Sequence, residues 1–364
     1  MFLPFMLFRA NRIVLGEPRS ILSALPPVEA GFLIAILVVG LLIALLRFSA
    51  AIKLGASLIM LIALFVLLGH AADFLTPTGN SYARISPGGG FWLIAFAFAL
   101  LAADALSRLR LAPWARIGIL LVVAAAFGAL LASGSLNNIS TLKEYATRAE
   151  AFWREAQTHV LLAFGSVAVA TIVGVPVGII CFRVPRLRAG VLNVLNIVQT
   201  IPSIALFGLL IAPLAWIAAN VPGAREIGIS GIGGAPALVA LFAYSLLPVV
   251  SNTVVGLASV PDAANDAAKG MGMTGWQRLL AVELPLAFPV ILTGIRIVLV
   301  QNIGLATIAA LIGGGGFGVF VFQGIGQTAM DLVLLGAVPT VVLAFAAAVV
   351  LDAVVEMVSR GKRV

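Results

Sequence analysis

The residues in this 364-residue chain that could do chemistry are the polar ones that interrupt its apolar stretches. Asn193, Asn196 and the run Gln199-Thr200-Ile201-Pro202-Ser203 break one such stretch, and Arg296, Gln301 and Asn302 fall inside another. Amides and hydroxyls at that depth are expensive in lipid, so they either hydrogen-bond between helices or line a polar path. Both readings stand for Asn196, Gln199, Thr200, Pro202, Ser203, Gln301 and Asn302, and the proline predicts a broken helix at 199–203. Arg296 is expected to pair with a carboxylate or a helix C-terminus rather than with a solute. Group-transfer chemistry fits poorly. His70 and His159 lie 89 positions apart, at the ends of apolar runs, with no H-E-x-x-H or G-x-S-x-G pattern near them, and Cys181 is the single cysteine. The glycine run 313–316, followed by Phe317 and Gly318, has the look of a phosphate loop but lacks the Lys-Ser/Thr pair that grips phosphate, and none of the four lysines supplies it. Those glycines either let backbones approach closely near an outer gate or form a turn. The chain is therefore expected not to be an enzyme, to hold no metal, and to bind no cofactor of its own.

The segment 259–285, SVPDAANDAAKGMGMTGWQRLLAVELP, is the most informative. Pro261 and Asp262 predict the start of one short helix, the Ala263-Ala264 and Ala267-Ala268 pairs give it a close-approach face, and Gly270 or Gly272 supplies a left-handed stop. Thr274 with Gln277 three residues on predicts a capping box opening a second helix, and Trp276, Leu279, Leu280 and Leu284 form an apolar stripe at helical spacing. Pro285 is expected to end this hairpin and return the chain to an apolar run. An apolar face on a polar loop calls for a protein partner.

The elements that must position these residues are membrane helices. The chain is 62% hydrophobic and 10% charged, with a mean hydropathy of +1.16, against about one quarter charged in soluble domains. Nine apolar runs are candidate spans: 30–46, 54–69, 90–103, 117–133, 159–182, 191–218, 236–258, 286–312 and 332–357. They lack the alternation of barrel strands, so an all-α polytopic fold is expected. The net charge of +8 sits in clusters between spans and reads as a topology signal rather than a nucleic-acid surface. With the C-terminus cytoplasmic, inside segments carry thirteen Lys and Arg, including Lys362 and Arg363, and outside segments carry eight, including Arg9, Arg12 and Arg19. The apolar start at 1–8 is too short to span and shows no cleavable signal; it is expected to be the end of a span that begins further upstream. The polar segment 134–157 separates four N-terminal spans (1–133) from five C-terminal ones (158–364) and is expected to hold an external amphipathic helix, with Glu144/Arg148 and Glu150/Arg154 at i,i+4.

Segment 259–285 resembles the EAA loop of binding-protein-dependent ABC importer permeases: E-A-A, three residues, Gly, nine residues, Ile, one residue, Leu-Pro. Here Asp266, Ala267 and Ala268 take the first positions, Gly272 follows at the family spacing, Val282 stands for Ile, and Leu284-Pro285 close the pattern. Asp for Glu and Val for Ile are the departures. The resemblance covers about 158–358, and the stretches at 137–153, 191–214, 241–257 and 283–318 are similar to the glycine betaine and osmoprotectant branch, within it to the Yeh-type permeases with extra N-terminal spans. It implies a five-helix permease core of the MetI-like type in a bacterial inner membrane, paired with a second permease chain. A cytoplasmic ATPase carrying ATP and Mg would grip the loop through Asp266, Ala267, Ala268, Gly272, Trp276, Leu279, Leu284 and Pro285, with Trp276 and Leu279 packed against the membrane end. A periplasmic substrate-binding protein would deliver the solute. Glycine betaine or a related zwitterion is the expected cargo; choline, an amino acid, or an ion-coupled secondary transporter are the alternatives.

Overall fold

The computed structural model describes residues 3–11, 14–77, 79–80 and 82–360. Met1, Phe2, Arg12, Lys362 and Arg363, which enter the N-terminal expectation or the charge count, lie outside the described residues. Among those described, nine helices are long and apolar enough to cross a membrane. The chain runs β1 (Met6–Arg9), β2 (Glu17–Arg19), α1 (Ile21–Ala24), α2 (Pro27–Leu45), α3 (Ala50–Leu75), β3 (Arg84–Pro87), α4 (Gly89–Leu109), α5 (Pro113–Ala132), α6 (Ser140–Thr147) and α7 (Ala149–Arg183). It continues with α8 (Pro185–Thr200), α9 (Ser203–Asn220), α10 (Gly234–Ala258), α11 (Asp262–Gly270), α12 (Gly275–Arg278), α13 (Leu284–Ala306), α14 (Gly318–Gly326) and α15 (Met330–Arg360). A π-turn, Leu279–Glu283, joins α12 to α13, and a 3-10 turn, Ile308–Ile312, follows α13.

Two compact units divide the chain: 1–149 with 329–335, and 150–328 with 336–364. In the first, α2 to α5 accompany a three-stranded antiparallel sheet in the order β2-β1-β3, with Met6 opposite both Arg19 and Pro87. This corrects the N-terminal expectation: residues 6–9 form a strand, not the end of a spanning helix. The strand is fixed because Phe5 and Met6 are fully buried and Phe5 meets Phe91 edge-to-face, while the backbone of Pro4 and Phe5 lies on the start of α4. Gly88 permits that approach, since a Cβ there would sit 2.3 Å from the Pro4 carbonyl oxygen. The buried Glu144 of α6 pairs with Arg84 at 3.7 Å and Arg148 at 3.5 Å. Nearby, Lys143 Nζ donates to the Ala83 carbonyl, and burial lowers its pKa below the usual lysine value. Residues 329–335 belong to this unit: Ser86 Oγ donates to Asp331 Oδ1 at 2.5 Å, and Leu332 is fully buried.

The second unit packs α7, α9, α10 and α13 around Leu162, Phe207, Leu241, Val298 and Ile303. Helix α7 begins at Ala149, so the second half of the polar segment is the first turns of a 35-residue helix rather than a separate element. Small residues let these helices approach as they must in lipid, where packing rather than the hydrophobic effect joins them. A Cβ at Gly178 would meet Thr253 at 2.5 Å, and one at Gly294 would meet Asn252 at 2.6 Å.

Candidate functional site: the 259–285 loop and the polar core behind it

Loop 259–285 forms two short helices with a defined stop between them. Helix α11 follows Pro261, and its end is a Schellman motif: Met273 N–H donates to the Ala268 carbonyl at 3.1 Å and Gly272 N–H to the Lys269 carbonyl at 2.9 Å. Gly272 carries the left-handed turn at φ +77°, with nothing within 4 Å of a would-be Cβ. Thr274 and Gln277 complete the expected capping box. Asp266 is exposed and pairs with Lys269 at 3.0 Å, Ala267 is exposed, and Ala268 is buried.

The helix entered at Gly275 does not stop at Pro285. It passes through the π-turn, where Leu284 N–H donates to the Leu279 carbonyl five residues back, and Pro285 lies in the first turn of α13. A proline lacks the N–H that an α-helical ladder needs, and the wider turn just before it takes up the mismatch. Leu279 is buried with Leu257, Val260, Ala287 and Ile291, and Leu284 packs against them. Trp276, by contrast, is 68% exposed, which corrects its expected packing against the membrane end. The π-turn rotates the stripe, so Trp276 lines a surface cleft of about 560 Å³ with Met271, Gly272, Met273, Gln277, Leu280 and Ala281.

Beneath the loop lies a cluster the sequence reading missed. The carboxylate of Glu283, 4% exposed, accepts from Arg183 Nη2 at 2.5 Å and from Arg278 Nε at 2.9 Å. It ties the end of α7 to α12. Its signal in sequence was its isolation: Glu283 is the single acidic residue between Asp266 and Asp331.

The polar residues inside the spans fall into distinct settings. The break between α8 and α9 sits at Ile201-Pro202, as Pro202 predicts, and α10 holds it: Gln199 Nε2 donates to the Tyr244 carbonyl at 2.8 Å, and the Tyr244 hydroxyl donates to the Ile201 carbonyl. Asn196, Thr200 and Pro202 are exposed, and Ser203 is half-buried. Next to Tyr244 on α10, Ser245 meets the fully buried Asn302, whose Nδ2 donates to Ser245 Oγ and to Ser166 Oγ of α7, each at 2.8 Å. Gln301, its neighbour, is exposed on another face. The pathway set is thus not one cluster: α10 anchors the helix break and Asn302 separately. Arg296 is paired with Asp352 of α15.

At the opposite end of α13, Gly313, Gly315 and Gly316 all have positive φ. Two side chains one turn apart on α7 clasp this run. Glu155 Oε2 accepts from Gly316 N–H at 2.8 Å, and His159 Nδ1 accepts from Phe317 N–H at 3.3 Å. His159 is therefore fully buried rather than interfacial, because the left-handed glycines turn those N–H groups toward α7.

Residues 174–364 match the model of the binding-protein-dependent transport system inner membrane component, and residues 1–142 match the N-terminal domain of ABC transporter permease YehY. The chain belongs to the family of binding-protein-dependent transport system inner membrane components. As a permease it is similar to the osmoprotectant import permease protein OsmW of Salmonella typhimurium, 43% identical over 51% of this chain and 81% of that one. It is also similar to the glycine betaine/carnitine/choline transport system permease protein OpuCB of Bacillus subtilis, 37% identical over 56% of this chain and 84% of that one. The MetNI methionine ABC transporter, in an inward-facing conformation, shares the fold of the permease region: 22% identity, TM-score 0.51, 58% of this chain and 97% of that one. The permease is thus a multi-pass membrane transport component with a MetI-like helical core.

Proposed function

We propose that this permease is the membrane subunit of an ATP-driven importer for glycine betaine or a closely related zwitterionic osmolyte. A cytoplasmic ATPase bearing ATP and Mg docks on loop 259–285, a substrate-binding protein delivers solute at the opposite face, and a second permease chain completes the pathway. The C-terminus is cytoplasmic under this reading. The cleft beside the Gly272 stop carries it: Met271, Trp276 and Leu280 are exposed there, while Glu283 and Leu279 fix the loop from below. Large exposed apolar side chains on a rigidly held, capped hairpin suit a protein partner whose motion must be transmitted to helices α7 and α13. Asp266, Ala267, Ala268 and Gly272 form the coupling helix and its stop; Leu284 and Pro285 lead into α13. The osmolyte assignment rests on the activities of the relatives and fits the uncharged amides and hydroxyls at the break between α8 and α9, Asn196, Gln199, Thr200 and Ser203. An ion-coupled transporter fits less well, because the deepest acidic residue, Asp352, is held by Arg296.

The test is uptake of radiolabelled glycine betaine into proteoliposomes holding the permease, its ATPase and its binding protein, with ATP inside. Competition by unlabelled betaine but not by methionine or choline is expected. Uptake that follows an imposed ion gradient without ATP would overturn the assignment.

A further inference from the structure

Side chains of α7 tie it at three levels to α13 and the segments at either end of α13. At the inner end, in the orientation proposed above, Arg183 donates to the buried Glu283 of the π-turn. Midway, Ser166 Oγ accepts from the buried Asn302. At the outer end, Glu155 and His159 accept from the N–H groups of Gly316 and Phe317. Along α7, Arg183 and Ser166 lie about 26 Å apart and Ser166 and Glu155 about 16 Å, at the rise of an α-helix.

The ties differ in what they end on. Glu283 and Asn302 belong to one continuous helical stretch, so neither can part from α7 without moving that helix. Gly316 and Phe317 belong to a run that has left it, with positive φ at Gly313, Gly315 and Gly316. The near end of the run is stitched down, since Gly233 N–H donates to the Ile312 carbonyl and Gly314 N–H to the Ala309 carbonyl, each at 2.9 Å. Its far end is held by the two α7 side chains. Glycine takes either sign of φ, so 315–317 can turn about its own backbone while α13 stays in place. Glu155 also has somewhere to go: Arg154 Nε, on a side chain 71% exposed, lies 3.5 Å from its Oε1. A carboxylate that lets go of Gly316 therefore keeps a cation beside it.

We propose that Glu155 and His159 are the outer latch of the transport cycle. Closed, they hold the glycine run on α7; released, 315–317 comes away and the outer end of α7, α10 and α13 opens to solute. Both are positioning residues, acting through the backbone they hold. The latch rests on the import reading above, in which closure of the ATPase and opening of the outer end go together.

The latch can be locked covalently. A Cβ at Gly315 would lie 3.7 Å from Thr158 Cβ, within the Cβ separation of a disulfide, about 3.5–4.5 Å. The Thr158→Cys/Gly315→Cys permease is assembled with its ATPase and binding protein in proteoliposomes and oxidised with copper phenanthroline. Oxidation is expected to cut betaine uptake about tenfold or more, because the locked state cannot exchange, with recovery in dithiothreitol. Gly315 has φ +76°, so the reduced double variant sets the baseline. Glu155→Ala tests the same latch with no change at a glycine. It is expected to raise ATP hydrolysis without binding protein about tenfold, the population shift that loss of one charge-assisted hydrogen bond gives. Glu155→Gln, which keeps an acceptor oxygen, is expected to retain most of the dependence on binding protein. Equal uptake before and after complete cross-linking would overturn the latch, as would Glu155→Ala hydrolysis that still waits for the binding protein. Absence of betaine uptake by the unaltered complex would strike the cargo assignment instead, and hydrolysis by Glu155→Ala without binding protein would still decide the latch.

Discussion

Glu283 is the residue on which the loop turns. Removing a buried carboxylate shared by two guanidiniums leaves both charges uncompensated, at a cost of about 3 kcal/mol where pairs are buried. Arg183 is 35% exposed, so solvent screens part of that loss. Glu283→Ala is expected to speed hydrogen exchange across 262–283 and to cut uptake at equal membrane abundance; unchanged exchange would show that the cluster does not hold the loop. Asn302 works differently, as a neutral knot between three helices. Asn302→Ala should lower the melting temperature by an amount corresponding to about 1 kcal/mol, the usual worth of an interhelical hydrogen bond in membranes. A pathway residue would instead change substrate affinity with no thermal shift. Sequence alone placed Asn302 among polar residues in spans but could not decide which face of α13 it occupies. Its partners, Ser166 and Ser245, lie 136 and 57 positions away.

At the scale of elements, the loop was readable where its signals are local. The Gly272 stop, the Thr274–Gln277 cap and the break at Pro202 follow from one or two residues each. What the sequence hid were consequences of long-range packing: the π-turn that carries the helix through Pro285, the exposure of Trp276, and the clasp of Glu155 and His159 on the glycine run. Because space around Gly272 is open, Gly272→Asp strains only the left-handed turn, by about 1 kcal/mol. It is expected to leave the complex assembled and hydrolysing ATP while uptake falls; uptake and hydrolysis unchanged together would remove the coupling role from this stop. Trp276→Ala should leave thermal stability within about 0.5 kcal/mol, as exposed positions do. It should weaken ATPase binding by about tenfold or more, the mark of an aromatic anchor. Binding equal to that of the unaltered permease would move the docking surface elsewhere.

For the whole molecule, the nine spanning helices among the described residues were readable from apolar run length, because lipid demands helices of that size, although the run 191–218 is cut at Pro202 and Ser203–Asn220 alone is long enough to cross. The small sheet was not, since its strands are three or four residues long and take their stability from Phe5, Met6 and Phe91 rather than from alternation. The N-terminal unit also takes in the first turns of α15. Deleting 1–133 would therefore strip the packing from Leu332 and the hydrogen bond from Asp331, and is expected to lower the stability of the remaining permease. If the N-terminal unit regulates transport, the same deletion changes how uptake varies with osmolarity; an identical osmotic profile would assign it a structural role alone. The measurement that tests the central account most directly is ATP hydrolysis by the complete complex in lipid, with empty and with betaine-loaded binding protein. Stimulation by the loaded binding protein alone is the predicted result. Hydrolysis that ignores the loaded binding protein, with both partners bound and the ATPase active, would contradict it.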